Sequence, residues 1–250
     1  SLYALGGREG VESVPRLNTV EVYSRHTNQW TQIKPMKNGR SDAGAATLGG
    51  NIYVVGGYSG QTGLRSVERY SPSKNRWKEV RDMSAARAGV AAAVLGGRLY
   101  VVGGWDGDID NPTRLATGEV YCPHDNRWSS LPDMITPRSN FGLLVLAGRL
   151  TAVGGYDGQQ TTQLVEALDL SLGIWVPLAS LPAPCSGLAC VSLPFSSFRE
   201  TREEEEDISS SLGDLSISSY SLDRDSLYSD TIPEEDEEEE EEGEREEQGV

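Results

Sequence analysis

Residues 95–107 read LGGRLYVVGGWDG, and in this stretch two glycine pairs bracket the short apolar run RLYVV. An apolar, β-branched run of this length is typical of a buried strand. Glycine weakens a strand, so it stands there only where the backbone needs its conformational freedom or its small size. A phosphate-binding glycine loop would need a helix directly after the glycines, whereas the polar stretch WDGDIDNPTR follows here. The glycine pairs therefore indicate a structural role.

The same phrase occurs four times along the chain. It reads SLYALGG at 1–7, NIYVVGG at 51–57, RLYVVGG at 98–104 and RLTAVGG at 149–155. Four tryptophans are separated by 47, 51 and 47 residues, and four glutamates repeat the same gaps. These residues are Trp30, Trp77, Trp128 and Trp175, with Glu21, Glu68, Glu119 and Glu166. A period of about fifty residues predicts a repeat architecture.

Each unit contains four short strand patterns separated by turn residues, and no helical pattern. A small-residue strand such as GVAAAVL is followed by the strand ending in Gly-Gly, a strand around GEVY, and a strand entered at tryptophan. The predicted units span about 1–34, 35–81, 82–132 and 133–179, and a final inner strand is predicted at 185–193.

The pattern of arginine, small apolar run, Gly-Gly, Glu-x-Tyr and Asn-x-Trp resembles the kelch repeat. The stretches IYVVGGYSG and MSAARAGVAAAVLGGRLYVVGGWDG resemble the Kelch-like (BTB–kelch) family in particular, and the resemblance covers residues 1 to about 193. It implies an all-β fold, a kelch-type β-propeller whose four-stranded blades stand around an axis. WD-repeat propellers are the nearest alternative, but their Gly-His and terminal Trp-Asp signatures are missing from these units.

In such a propeller, glycine lets the inner strands approach each other closely, and tryptophan on the outer strand fills the widening space between blades. The residues assigned to this scaffold are Gly56, Gly57, Trp77, Gly103, Gly104, Trp128, Gly154, Gly155 and Trp175. Arg40, Arg87 and Arg138 keep the same gaps, so they are expected to satisfy backbone groups or the repeated glutamates. The fourth position holds Cys185, and that blade should lack the interaction.

The resemblance further implies a six-bladed ring, with about two blades and the BTB and BACK domains upstream of Ser1. In that ring the final strand, residues 185–193, would complete the first blade, which lies upstream of Ser1. A closed four-bladed ring, in which residues 185–193 complete the blade that begins at Leu2, is the alternative.

The charge of the chain is concentrated at its end. Residues 199–250 hold 22 acidic residues against 4 arginines, a net charge of −18, whereas residues 1–198 carry +2. Like charges repel, and the segment offers too little apolar surface to offset the entropy of ordering. We predict a disordered, Ser-rich and acidic tail at 195–250.

The residues give little support for catalysis. His26 and His124 each lie four residues before a tryptophan, on equivalent turns of different units, so they cannot converge on one metal ion. Cys122 with His124 lacks a second pair of zinc ligands, and no acid, base or nucleophile converges. We predict a non-catalytic protein without metal or cofactor. A kelch-fold enzyme is the less favoured alternative.

The compartment and the classes of partner follow from cysteine usage and hydropathy. Three cysteines without framework spacing, and no signal peptide or long apolar run, predict a cytoplasmic protein. We expect it to bind neither nucleic acid nor a membrane.

The loops between the second and third strands carry all of the length variation. The second glycine of each pair and the repeated glutamate of the same unit are 14, 11, 15 and 11 residues apart. Loops that vary on a fixed scaffold carry recognition, so we predict a binding rim made by residues 8–18, 58–65, 105–117 and 156–163. The candidate partner-binding residues are Asp42, Tyr58, Trp105, Asp108, Asp110, Arg114, Asn140 and Tyr156. For the three aromatic residues, packing between blades is an equal alternative.

The family resemblance implies a protein-binding propeller that selects substrates as part of a BTB–kelch adaptor for a cullin-type ubiquitin ligase. Cullin contact would then be made only through an upstream BTB region. An actin-associated or other cytoskeletal scaffold is the alternative.

Overall fold

The computed structural model describes residues 1–10 and 15–192. Its fifteen strands are β1 (Leu2–Leu5), β2 (Val20–Ser24), β3 (Gln29–Gln32), β4 (Gly44–Leu48), β5 (Asn51–Val55), β6 (Val67–Ser71), β7 (Arg76–Glu79), β8 (Ala91–Leu95), β9 (Arg98–Val102), β10 (Gly118–Cys122), β11 (Arg127–Leu131), β12 (Gly142–Leu146), β13 (Arg149–Val153), β14 (Val165–Asp169) and β15 (Ile174–Leu178). A three-residue 3-10 helix, Pro72–Lys74, is an exception to the prediction of no helix.

The strands form four antiparallel sheets, one per sequence unit. The first blade contains β1–β3, and the second, third and fourth blades contain β4–β7, β8–β11 and β12–β15. Each tyrosine or leucine of the third strand lies opposite the tryptophan of the fourth: Tyr23 with Trp30, Tyr70 with Trp77, Tyr121 with Trp128 and Leu168 with Trp175. The two residues of each pair are seven positions apart in the sequence, and this repeated spacing is the register of one hairpin.

The hydrophobic core lies between neighbouring blades. One cluster joins Tyr53 and Val55 of the second blade to Leu99, Val101 and Tyr121 of the third. A second cluster joins residues of the third and fourth blades, and a third cluster joins the first and second. Because the face of each sheet is buried against the next sheet, the apolar residues of one blade stabilise two blades at once.

The glycine pair of the opening stretch lies where blades come closest. Gly103 and Gly104 both adopt positive φ, +65° and +92°, and a side chain on Gly103 would meet Arg138 O and the Phe141 ring at 2.6 Å. The backbone of the third blade therefore approaches the fourth more closely than any side chain at Gly103 would permit.

The final inner strand predicted at 185–193 is not formed by the described part of that segment. Residues 185–192 have no strand pairing, yet Gly187 N donates to Asn140 O at 2.8 Å, and the Cys190 thiol lies where a side chain of Gly142 would stand. The segment thus lies against the inner strand of the fourth blade, as the inner strand of a following blade would. A strand in this position forms a ladder only with a second strand of its own blade beside it.

The predicted disordered tail, 195–250, lies outside the described residues, as do residue 193 and residues 11–14 of the first rim loop. In the part of the chain that the structure describes, no helix has the length and apolar character needed to cross a bilayer.

Candidate protein-binding rim

The register of the sheets places two sets of loops at the same end of every blade. Val55, at the end of β5, pairs with Gly44 at the start of β4 and with Val67 at the start of β6. The loops between second and third strands therefore share one rim with the loops that enter each first strand. The 1–2 hairpins and 3–4 turns lie at the opposite end.

Buried arginine–glutamate pairs hold the base of this rim. Arg40, Arg87 and Arg138 are at most 1% exposed, and each pairs with the glutamate of its own blade. The distances are 2.7 Å to Glu68, 3.3 Å to Glu119 and 2.6 Å to Glu166.

The same arginines also bind backbone carbonyls of the second-to-third-strand loop. Arg138 Nη1 donates to Gly154 O at 2.8 Å and to Leu164 O at 2.9 Å. Burial lowers the pKa of Arg138, and the charge of Glu166 opposes that shift. Each arginine is therefore a structural clamp on the loop above it, which agrees with the role expected from its periodicity.

The glutamates in turn cap the loop that enters the same blade. Glu68 Oε2 accepts a hydrogen bond from Lys37 N at 2.7 Å, and Glu68 Oε1 accepts one from Asn38 N at 3.1 Å. Glu166 accepts in the same way from Ile135 N and Thr136 N. One buried ion pair thus fixes both loops of a blade at the rim.

Cys185 replaces the arginine only in its backbone role. Its carbonyl accepts from Gly155 N at 2.7 Å, as Arg40 O, Arg87 O and Arg138 O accept from Gly7, Gly57 and Gly104. A thiol cannot supply the charge or the forked donors of guanidinium, so the side-chain clamp has no counterpart at this position.

Asp42 and Asn140 lie two residues after the buried arginines, and Gly89 occupies the same place in the third blade. All three adopt a left-handed conformation, with φ of 54°, 57° and 53° in chain order. Gly89 N donates to Asp42 O and Asn140 N donates to Gly89 O, both at 2.8 Å. The two predicted binding residues therefore belong to a series of backbone hydrogen bonds linking the inner ends of the blades.

The predicted aromatic residues make contacts between blades. The ring centres of Tyr58 and Trp105 are 5.5 Å apart, and Tyr58 is only 7% exposed. Trp105 and Tyr156 remain half-buried. The three aromatic residues thus lie where the packing alternative places them, between blades, although Trp105 and Tyr156 remain partly exposed.

Two arginines lie over the rings of Tyr58, Trp105 and Tyr156. Arg16 Cζ lies 5.4 Å from the Tyr58 ring centre, while Arg114 Cζ lies 5.5 Å from that of Trp105 and 5.1 Å from that of Tyr156. Arg16 was not among the predicted site residues. Arg16 and Arg114 each lie five residues before the repeated glutamate of their unit. An alignment of the units on that glutamate would therefore have matched the two arginines, because the loop lengths differ only before this position.

Asp108 and Asp110 lie exposed on the longest rim loop. Asp106 Oδ1 accepts from Asp108 N at 3.1 Å and from Thr113 N at 3.2 Å. Asp108 Oδ1 accepts from Asp110 N and Asn111 N. These turn-forming bonds give the loop a defined shape and leave carboxylate oxygens facing solvent.

The histidines lie away from this rim, on exposed 3–4 turns of the first and third blades. His124 Nδ1 is 2.7 Å from Asp125 Oδ1. Within residues 1–10 and 15–192, no group of three or more His, Cys, Asp or Glu side chains is arranged to hold a metal ion.

The fold and this repeated clamp define a kelch-type β-propeller. The Kelch motif model matches residues 1–37, 39–84, 86–135 and 137–182, so the chain belongs to the kelch-repeat family. The predicted family and the predicted all-β propeller fold are confirmed.

Relatives of this chain include Kelch-like protein 28 of Homo sapiens, 33% identical over 164 residues, which are 65% of this chain and 20% of that protein. Kelch-like protein 36 of Bos taurus is 42% identical over 62 residues, 24% and 10% of the two chains. A kelch repeat and BTB domain-containing protein of Caenorhabditis elegans is 32% identical over 74 residues, 30% and 13%. The chain thus spans between a tenth and a fifth of the length of these relatives.

The solved structure of YjhT has a similar fold. It superimposes with a TM-score of 0.60 at 18% identity and covers 73% of this chain and 66% of its own.

Proposed function

We propose that this propeller is a non-catalytic, protein-binding module whose rim of second-to-third-strand loops captures a partner protein. The observation that carries the proposal is the contrast between a constant base and a variable rim. Every loop is held by backbone bonds from the paired glycines, while length and exposed charge change from blade to blade. A rigid base with variable loops is the arrangement in which proteins usually place recognition.

The chemistry of the buried groups favours binding over catalysis. The buried carboxylates Glu68, Glu119 and Glu166 are each occupied by an arginine and by backbone N–H groups. A general acid or base needs a carboxyl that can reach a substrate, whereas these three are buried and bind groups of the protein itself.

We further propose that the propeller is the substrate-selecting part of a BTB–kelch adaptor for a cullin-type ubiquitin ligase. Support comes from the relatives, one of which carries a BTB domain in its name. In this proposal a BTB region outside the present chain binds the cullin, and the rim binds the substrate. The free cysteines Cys122, Cys185 and Cys190 agree with a reducing, cytoplasmic setting.

A matched pair of charge reversals tests the rim. Asp110→Lys changes an exposed aspartate on the rim, and Asp125→Lys changes an exposed aspartate on the 3–4 turn of the same blade, at the opposite end. The intact protein is purified from cells with each change, and its partners are quantified by mass spectrometry. We expect Asp110→Lys to lose partners that Asp125→Lys retains.

The same experiment separates the classes of function. Recovery of a cullin with wild-type protein supports the adaptor, whereas recovery of actin without a cullin supports a cytoskeletal scaffold. If Asp125→Lys loses the partners and Asp110→Lys keeps them, the binding surface is at the other end of the propeller.

A further inference from the structure

The Arg114 side chain is held between aromatic rings of two blades. Its Cζ atom is 5.5 Å from the centre of Trp105 in its own blade and 5.1 Å from the centre of Tyr156 in the fourth. Gly158 leaves room for its stem, because a side chain there would meet Arg114 Cγ at 3.2 Å. Both rings thus lie within cation–π distance of the guanidinium, and these contacts restrict the side chain, so less rotamer freedom is lost when it binds.

This guanidinium has no partner of opposite charge in the part of the chain that the structure describes. Arg114 takes part in none of the ion pairs between described residues, and its buried Nε has no hydrogen-bond acceptor among them. The residue is half-buried, and its terminal nitrogens are not among the buried unpaired atoms. It differs in this from Arg138, both of whose terminal nitrogens donate hydrogen bonds within the blade. Arg114 therefore presents oriented, unused donors at the rim.

The same loop exposes the opposite charge close along the chain. The turn that Asp106 and Asp108 close uses one oxygen of each carboxylate. The carboxylate of Asp110 accepts no hydrogen bond from the described residues, and Ile109 between the two aspartates is 65% exposed. The loop thus offers a cation, two anions and an apolar side chain on one rigid support.

On the basis of the proposed function, we propose that this loop recognises a peptide segment of mixed charge. One carboxylate of the segment binds Arg114, a neighbouring lysine or arginine meets Asp108 and Asp110, and an apolar residue contacts Ile109. Guanidinium pairs with carboxylate through two parallel hydrogen bonds. A segment made only of acidic residues is disfavoured, because Asp108 and Asp110 repel it, and a segment made only of basic residues leaves Arg114 unpaired.

A random peptide library displayed on phage provides the probe. It is selected on the immobilised intact protein, and the affinities of synthetic versions of the selected peptides are measured by fluorescence anisotropy. We expect the selected sequences to combine a Glu or Asp with a Lys or Arg. Arg114→Glu should weaken them by about tenfold or more, as expected for loss of a charge-assisted hydrogen-bond pair. The matched control is Lys74→Glu, a charge reversal on the 3–4 turn at the opposite rim.

A charge exchange distinguishes recognition from a structural role of Arg114. In the exchanged peptides, lysine replaces the critical acid. These peptides should bind the Arg114→Glu variant at least as tightly as they bind the wild-type protein, because opposite charges again face each other. Arg114→Lys, which keeps the charge but loses the paired donors, serves as a second variant if Arg114→Glu fails to fold, and it should bind more weakly than wild type. Unchanged affinity in both variants, or loss without recovery by the exchanged peptide, would overturn the inference.

The outcomes also separate this inference from the proposed function. Selected peptides that depend on Asp110 but not on Arg114 leave the rim as the binding surface and reject the mixed-charge preference. Peptides that respond only to Lys74→Glu reject the rim itself.

Discussion

Arg138 Nη2 lies 2.6 Å from Glu166 Oε1, and the side chains are 0% and 2% exposed. Breaking a buried pair by removing one charge leaves the other uncompensated in the interior. We therefore expect Glu166→Gln to lower the free energy of unfolding by about 3–5 kcal/mol, measured by urea denaturation. The control is Glu79→Gln, whose ion pair with Lys37 is exposed at 2.8 Å and which should shift the midpoint little. Equal shifts in the two variants would contradict the clamp.

Trp175 combines inter-blade packing with one hydrogen bond, and two substitutions remove these contributions in part and in full. It is 5% exposed, and its Nε1 donates to Pro132 O at 3.0 Å. Trp175→Phe should cost about 1–2 kcal/mol, since it removes the donor and only part of the ring system, and Trp175→Ala about 3–5 kcal/mol, since it removes the whole ring system. Trp77→Ala, at a half-buried tryptophan, should cost less than Trp175→Ala. Chemical denaturation measures the free energy of unfolding of all three variants, and an equal loss in Trp175→Phe and Trp175→Ala would contradict this order.

Gly107 allows the rim loops of the second and third blades to touch. It has φ +83°, and a side chain there would clash with the backbone of Gly63. Gly97 has a similar φ of +72° but open space around it, so Gly97→Ala should cost only the backbone strain, about 1–2 kcal/mol. Gly107→Ala should cost a further 1–3 kcal/mol, approximately, by overpacking. Thermal denaturation of both variants checks this, and equal losses would show that the two loops separate freely.

Asp157 makes the fourth rim loop sensitive to acid. Its carboxylate accepts from Gln160 N and Gln159 N at 2.8 Å each, and these bonds lower its pKa below the ordinary 3.8. A lowered pKa means that the stabilisation is complete above the ordinary value and is lost as pH falls through the lowered one. We expect amide exchange at Gln159 and Gln160 to accelerate in that acidic range, beyond the intrinsic pH dependence. Asp157→Asn keeps an acceptor oxygen without the charge, so its amides should lack this extra step.

The scaffold could be predicted from the sequence because its residues recur in phase. Tyr121 and Trp128 are seven residues apart, as Tyr70 and Trp77 are, and this spacing is the register of the hairpin in both blades. The pairing of repeated arginines with repeated glutamates follows in the same way. A contact that every blade needs is made by residues that recur at the same position of every repeat.

The rim could be predicted only as a location. Arg114 lies over the Tyr156 ring of the next blade, and Arg16 is the equivalent arginine of the first unit, but the other two units have Gly63 and Thr161 at this position. Contacts that differ from one blade to the next have no period, and cation–aromatic stacking depends on geometry that spacing does not reveal. The inner strand at 185–193 was predicted from its composition, whereas a strand also requires a hydrogen-bonding neighbour.

The left-handed step shared by Asp42, Gly89 and Asn140 limits how this protein can diversify. Glycine, asparagine and aspartate adopt such a conformation easily, whereas a branched or bulky residue costs about 1–2 kcal/mol. Because each step also carries a hydrogen bond to the neighbouring blade, the cost would be felt by two blades together. The side chains that these three positions can carry are therefore few, whereas rim residues with negative φ, such as Asp108 and Asp110, can be exchanged without this backbone cost.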